Sequence, residues 1–130
     1  MAKALWVSQR SRPNIQLSVG FHCTRVATPT EQDWKKLTHL MGYIRKTRFL
    51  PLIISIGKDG TVIYIDGAHA VHTDARGHSG LFVTQGKGAM INISKKLGVA
   101  TTSSTETEIV STGERLPKCT WFRYFRIAQG

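Results

Sequence analysis

The sequence is poor in cysteine and in acidic residues, and it has no long apolar run. Cys23 and Cys119 lie far apart, with no His or Cys partner at the spacing of a metal site. Two reduced thiols in a reducing compartment are therefore expected. A membrane-spanning helix needs about eighteen or more consecutive apolar residues, and no such run occurs. The opening MAKALWVSQRSR lacks the apolar core of a secretory signal, so we expect an intracellular, cytoplasmic protein with no membrane partner.

The overall composition is that of an ordinary folded protein. Hydrophobic residues make up 41% of the chain and charged residues 20%, which excludes a disordered polar tail. A length of 130 residues suits one modest domain or parts of two. The sequence has no internal repeat and no low-complexity segment.

The shortage of acids gives the chain a strong positive charge. Lys and Arg number 18 against 8 Asp and Glu, a net charge of +10. Residues 1–60 contain ten basic and three acidic residues (+7), and residues 61–130 contain eight and five (+3). A small basic protein is predisposed to bind polyanions, nucleic acid above all, because binding releases counterions. An acidic protein partner, or charge that only maintains solubility, remains the alternative.

The first part of the sequence predicts two helices. Pro13 is a favoured first helical residue, and apolar residues at helical spacing continue over residues 13–26. Thr30 and Asp33 have the spacing of a capping box at the start of a second helix. The predicted apolar face of that helix is Trp34, Leu37, Leu40, Met41 and Ile44, and its basic residues are Lys35, Lys36, Arg45, Lys46 and Arg48. The basic face could follow a phosphate backbone, although a simply solvated face is commoner.

The period then changes to that of strands. Residues 50–56 and 61–66 predict a hairpin across Gly57–Gly60, and residues 80–85 and 89–94 a second one across Gly86–Gly88. Strands 61–66, 80–85 and 89–94 are expected to form one antiparallel meander. Ser103 and Glu106 have capping-box spacing at the start of a helix over 104–116, packed on the sheet through Ile109, Thr112 and Leu116. Pro117 is expected to kink or interrupt that helix.

Two acidic residues stand out by position. Asp66 ends an apolar strand before Gly67, and Glu108 lies near the start of the following helix. Oxygen ligands from two such elements can hold a divalent metal, but a turn-forming Asp-Gly and an exposed helical Glu are the simpler interpretations. His69, His72 and His78 could suggest zinc. Because no cysteine accompanies them, loop-packing histidines are preferred.

A series of ordered motifs then carries a resemblance. It comprises the strand ending in Asp66, the loop with Ala-Val-His at 70–72, the His-Ser-Gly at 78–80, the Gly-rich hairpin, the Ser-Lys-Lys at 94–96 and Ser-Ser-Thr-Glu-Thr-Glu at 103–108. This region resembles the RNase H domain of copia-type retrotransposon polyproteins. Residues 3–27, with Arg12-Pro13-Asn14-Ile15, and residues 31–48, with Asp-Trp-x-Lys-Leu and Tyr-Ile-Arg-x-Thr-Arg, resemble the end of the reverse transcriptase. The implied fold class is α+β: N-terminal helices (residues 1–56) followed by a partial RNase H-like domain (residues 57–130).

The resemblance implies a function and a site. The parent activity would be Mg²⁺- or Mn²⁺-dependent cleavage of RNA in RNA/DNA hybrids, with Asp66 and Glu108 as catalytic metal ligands. Ser104 and Thr105 match positions that contact the hybrid in its minor groove. Lys95 and Lys96 are also expected to contact nucleic acid.

The sequence also departs from the family pattern. Two further family acids have no match before Gly130, and Gly67 stands where Ala is common. We therefore expect a fragment of a reverse transcriptase/RNase H that binds metal poorly and is inactive alone. The alternative is a non-catalytic basic module that binds nucleic acid. An actin-like ATPase would need a second phosphate loop, which the sequence does not offer.

Overall fold

A computed structural model of the chain describes residues 1–58 and 60–130. Its helices are α1 (Ala2–Arg10), α2 (Gln16–Cys23), α3 (Glu31–Lys46) and α4 (Ser104–Gln129), with a 3-10 turn at Pro13–Ile15. Its strands are β1 (Ser55–Ile56), β2 (Val62–Ala68), β3 (Arg76–Thr84), β4 (Gly86–Lys87) and β5 (Ile91–Ala100). The expected α+β class is confirmed.

The first three helices enclose a small apolar cluster. Ile15, Val19 and Leu40 are buried in it, and Leu37 and Ile44 pack against them. The predicted helix over 13–26 is shorter than expected, because a 3-10 turn occupies its start and α2 ends at Cys23. Helix α1 was not predicted.

Helix α3 begins with the predicted capping box. The Asp33 backbone N–H donates to Thr30 Oγ1 (3.2 Å), and the Thr30 N–H donates to Asp33 Oδ2 (3.0 Å). The Thr30 hydroxyl also donates to Asp33 Oδ2 (2.7 Å), and this hydrogen bond, together with the one from the Thr30 N–H, lowers the pKa of Asp33. The predicted apolar face was only partly right, since Trp34 and Met41 are exposed. The short helices α1 and α2 cover only one side of α3, which leaves those two side chains without a partner.

The main sheet has the order β2-β3-β5 and is antiparallel throughout. Ile65 pairs with Leu81, and Leu81 pairs with Ile93, so the three side chains lie on one face. The predicted meander is confirmed. Strands β3 and β5 are both longer than predicted, and a register shift interrupts their pairing between Arg76 and His78.

The predicted hairpin between residues 50–56 and 61–66 was wrong. Only Ser55 and Ile56 form a strand, and they pair with β4 in a separate two-stranded sheet. The Gly57 N–H donates to the Gln85 carbonyl, and a Cβ on Gly86 (φ +150°) would lie 3.0 Å from the Gly57 Cα. Glycine is therefore required where the two backbones meet. Of the predicted turn, Asp59 lies outside the described residues.

Helix α4 packs on the sheet through a row that was not predicted. The buried residues are Thr107, Ser111, Arg115, Cys119 and Phe122, whereas the expected contacts Ile109 and Leu116 are 67% and 56% exposed. The more polar row faces the sheet, so an assignment based on hydrophobicity selected the wrong side.

The predicted interruption at Pro117 was wrong, because α4 continues through it to Gln129, while a kink there stays a prediction. Proline leaves the carbonyl four residues earlier without its helical partner, here that of Gly113. Both residues are exposed, so water can solvate that carbonyl and the helix can continue.

The core of the sheet layer lies between β3 and the second half of α4. Leu81 and Val83 meet Cys119 and Phe122 there, and Ile65, Ile91 and Ile93 complete the cluster. Burial raises the pKa of the Cys119 thiol, which keeps it protonated and inert. Within the described ranges, no helix combines the length and the apolar character needed to cross a membrane.

Candidate functional site

The backbone positions of the two predicted catalytic acids lie close together. Gly67, which follows Asp66, packs against α4, and a Cβ built on it would lie 3.0 Å from the Thr107 carbonyl oxygen. Glu108 follows Thr107 and is exposed. The buried row of α4 begins with its neighbour Thr107 and does not include Glu108.

The Asp66 side chain takes the other direction. Successive side chains of a strand alternate between faces, so Asp66 points away from the face on which Gly67 meets α4. Its carboxylate is exposed and opens into a cavity on the opposite face. The structure therefore does not bring the Asp66 carboxylate to the face that α4 covers, and a metal shared with Glu108 stays a prediction that this geometry does not support.

The donor set does not fit magnesium as it stands. Mg²⁺ needs octahedral oxygen coordination, which two separate carboxylates supply poorly. The described part of the chain contains no group of three or more His, Cys, Asp or Glu side chains that could hold a metal ion. We therefore assign no metal-dependent step to these residues.

The predicted nucleic-acid contacts differ in their surroundings. Ser104 and Thr105 are exposed in the first turn of α4, where N–H groups and the helix dipole favour anions. Lys95 is exposed on β5. Lys96 instead donates to Asp74 Oδ2 (2.6 Å), and this hydrogen bond lowers the pKa of the Asp74 carboxyl group. The Lys96 ammonium is thus already paired within the protein.

A cavity lies between α2 and the sheet face that carries Asp66. It has a volume of about 830 Å³, within the range of small-molecule sites. The sheet contributes Tyr64, Asp66 and Phe82, and α2 contributes Leu17 and Phe21. The cavity is therefore largely apolar and aromatic, with a carboxylate in one wall.

Three polar side chains form a hydrogen-bonded chain along this cavity. His78 lies between the other two, with Nδ1 3.1 Å from His72 Nε2 and Nε2 2.7 Å from Ser94 Oγ. Burial lowers the pKa of both histidines, and Lys96 contributes for His72. Both imidazoles are therefore neutral at pH 7. The three side chains can donate hydrogen bonds to a ligand, or accept them from it, without placing a positive charge in the cavity.

Aromatic and cationic groups close the helical side. The Phe21 ring stacks on His72 (centroids 6.3 Å apart, interplanar angle 21°). Lys36 Nζ lies 5.3 Å and Arg25 Cζ 5.1 Å from the centre of the same ring. Across the cavity, Tyr64 and Phe82 are neighbouring rings with centroids 6.1 Å apart.

A second polar cluster lies on the other face, under α4. Arg115 Nε donates to Ser79 Oγ (2.9 Å), and Arg115 Nη2 is 3.5 Å from Glu114 Oε2. The Arg115 Nη2 and Ser111 Oγ atoms are buried and have no hydrogen-bond partner among the described residues. Burial lowers the pKa of Arg115. The cluster is closed to ligands and bears on stability.

Sequence reasoning missed the cavity and its histidine chain. His72 and His78 were assigned to loop packing, and Ser94 was not considered. One signal was available in the sequence. Side chains alternate along a strand, so Tyr64 and Asp66 lie on one face of β2, and their partners on β3 must lie on the same face of the sheet. The covering wall from α2 carries no such signal, because its position depends on long-range packing.

Comparisons with protein-family models, with curated proteins and with solved structures found no match to this chain.

Proposed function

We propose that residues 57–130 are the first part of an RNase H-like domain that binds RNA/DNA hybrids, preceded in residues 1–56 by the end of a reverse transcriptase. The proposal extends to the parent activity, metal-dependent cleavage of the RNA strand. One structural observation supports it above the others. The antiparallel meander β2-β3-β5 is followed by α4 packed across it, the order that the motif resemblance implies.

The charge distribution supports nucleic-acid binding. The chain carries +10, and the ion pairs of the described residues engage few of its basic side chains: Lys35, Arg76, Lys96 and Arg115. Each exposed Lys or Arg that neutralises a phosphate releases counterions, so binding should weaken steeply with salt. Lys95 and the first turn of α4 are the elements that we propose to contact the hybrid.

Cleavage by the chain itself is not expected. Asp66 and Glu108 are two of the carboxylates that the resemblance implies, and two carboxylates alone supply the octahedral oxygen coordination of Mg²⁺ poorly. We expect hybrid binding without hydrolysis from the 130-residue chain.

Fluorescence anisotropy with a labelled RNA/DNA hybrid tests the binding. The logarithm of affinity should fall linearly with the logarithm of salt concentration, and Lys95→Ala should reduce that slope by about 1. Lys3→Ala removes the same charge from α1, and this variant should keep the preference of the native chain for the hybrid over duplex DNA. Salt-independent binding, or none in low salt, contradicts the proposal.

A cleavage assay with Mg²⁺ or Mn²⁺ tests the chemistry, with Asp66→Asn as the matched control. Cleavage by the native chain that Asp66→Asn loses would overturn the expectation of an inactive chain. Cleavage by both proteins would indicate a contaminating nuclease.

The second candidate is a non-catalytic basic module. The excess of exposed basic residues favours it equally, and it needs neither Asp66 nor Glu108. Competition separates the two: an RNase H-like surface should prefer hybrid over duplex DNA of the same length, because it recognises 2′-hydroxyl groups. A basic module should bind both alike.

A further inference from the structure

We propose that the cavity between α2 and the sheet binds a guanine nucleotide, with the base between the aromatic side chains and the Asp66 carboxylate as the group that selects guanine. The cavity lies on the opposite face of the sheet from α4 and needs neither hybrid nor metal. The inference shares Asp66 with the proposed metal site, but guanine binding in EDTA can be present or absent whatever the outcome of the cleavage assay.

The walls fit a flat aromatic body. Tyr64 and Phe82 present neighbouring rings on the sheet side, and Phe21 presents a ring on the helical side. Aromatic side chains bind bases by stacking, because every base has a π face. The volume of about 830 Å³ lies in the range that accommodates small ligands.

The polar groups specify which base fits. The Asp66 carboxylate accepts hydrogen bonds only, is exposed to the cavity and makes no hydrogen bond within the described residues. Guanine alone among the common bases presents two adjacent donors, N1–H and the N2 amino group, that match a carboxylate. Adenine places its N1 acceptor beside its amino donor, so a carboxylate meets a repulsive lone pair.

The charge around the cavity argues for a phosphate on the same ligand. Lys36 lines the helical side and Arg25 lies over the Phe21 ring, so an anionic group is favoured there. The net charge of +10 disfavours a cationic amine as the partner of Asp66. A guanine nucleotide carries both an anionic phosphate, which suits the basic side chains on the helical side, and hydrogen-bond donors, which suit the Asp66 carboxylate on the sheet side.

The hydrogen-bonded chain His72–His78–Ser94 completes the polar edge. Its members are neutral at pH 7, so they do not compete for the Asp66 carboxylate as an imidazolium would. Ser94 Oγ can donate to an acceptor of the ligand while His78 Nε2 holds it in place.

Isothermal titration calorimetry with the whole chain in EDTA is the experiment. We expect GMP to bind about tenfold more tightly than AMP, in line with the discrimination of a bidentate contact, and IMP, which lacks the N2 amino group, to lie between them. Asp66→Asn should reduce GMP affinity to that of AMP, while Glu31→Gln, an exposed acid on α3, should leave it unchanged.

Stacking is tested separately. Tyr64→Ala should weaken both GMP and AMP by about tenfold without changing their ratio. The control Tyr124→Ala removes an equally exposed ring from α4 and should have no effect. The circular dichroism of each variant verifies that it is folded.

The same assay with thymidine hexamers containing one central guanine or adenine distinguishes a nucleotide in a strand from a free one. Preference for guanine in the hexamer alone assigns the cavity to an unpaired base of a strand, and preference in GMP alone assigns it to the free nucleotide. Equal binding of GMP, IMP and AMP by the native chain together with equal binding of the two hexamers, or no binding of any probe, overturns the inference without recourse to variants.

Discussion

Arg115 on α4 donates its Nε–H to Ser79 Oγ on β3 across 2.9 Å, in the layer between the helix and the sheet. Arg115 is only 6% exposed, and its Nη2 has no hydrogen-bond partner among the described residues. A buried guanidinium that is only partly satisfied costs free energy, because it loses hydration that the protein does not replace.

We predict that Arg115→Met stabilises the protein. Methionine has a similar length and no polar atom to desolvate, and a buried donor without a partner costs about 1–3 kcal/mol. The Glu114 carboxylate, which loses its ion-pair partner, is partly exposed and can be solvated by water. Urea unfolding followed by circular dichroism should show a higher midpoint with an unchanged slope. The control is Arg123→Met on the exposed side of the same helix, which should change little. A loss of stability in Arg115→Met would mean that the Ser79 bond outweighs the desolvation.

Gly67 is predicted to be intolerant of alanine. An added Cβ would collide with Ser111 Oγ and lie 3.0 Å from the Thr107 carbonyl oxygen, so α4 would have to move away from β2. Overpacking of this kind typically costs about 1–3 kcal/mol. The free energy of unfolding of Gly67→Ala should fall by that amount.

Ser111→Ala supplies the second half of a double-mutant cycle. It removes the colliding Oγ, which is itself buried without a partner, so the double variant should recover part of the loss. Recovery is partial because Thr107 remains in place. Additive effects of the two substitutions would show that the Ser111 contact is not the cause.

The histidine chain predicts a loss of stability in mild acid. The pKa values of His72 and His78 are lowered in the folded protein, chiefly by burial, whereas an unfolded histidine titrates near its ordinary value of about 6.5. As the pH falls below that value, the unfolded state takes up protons first, so unfolding becomes more favourable. The loss continues until the pH falls below the folded pKa values.

Chemical denaturation between pH 8 and pH 5 measures this effect. The wild-type free energy of unfolding should decrease below about pH 6.5, and His72→Gln with His78→Gln should flatten the decrease. Comparison at pH 8, where both groups are neutral in either state, separates the titration from packing changes. If the double variant lost stability with falling pH as steeply as the wild type, the two histidines would not be the source of the pH dependence.

The cap of α4 should stabilise the whole helix. Ser103 Oγ accepts the Glu106 backbone N–H (3.1 Å), and Ser103→Ala should cost about 1 kcal/mol. Ser103→Asp, which keeps a capping acceptor, should remain close to wild type. Thermal unfolding compares the three proteins, and equal melting temperatures for Ser103→Ala and wild type would contradict the prediction.

Local features of this chain could be predicted from its sequence. The capping box at Thr30 and the N-cap at Ser103 were identified because the spacing of a cap involves only residues within one turn. The second half of the box expected at Ser103 does not form, since Glu106 Oε2 accepts the Thr102 N–H instead. The meander β2-β3-β5 was predicted because alternating apolar residues and short connections specify antiparallel neighbours. The positive charge, and with it the expectation of a polyanionic partner, follows from composition alone.

Contacts between distant segments were decided only by the tertiary structure. β1 pairs with β4 because Gly57 and Gly86 allow two backbones to meet, and neither glycine identifies its partner. The buried row of α4 contains Ser111 and Arg115, because which side of a helix is buried depends on the sheet beneath it as well as on its hydrophobicity. Asp66 was singled out because the sequence placed it at a strand end, although β2 continues to Ala68. Its place in the wall of a cavity depends on how α2 packs over the sheet. That packing joins residues far apart in the chain, and no local pattern encodes it.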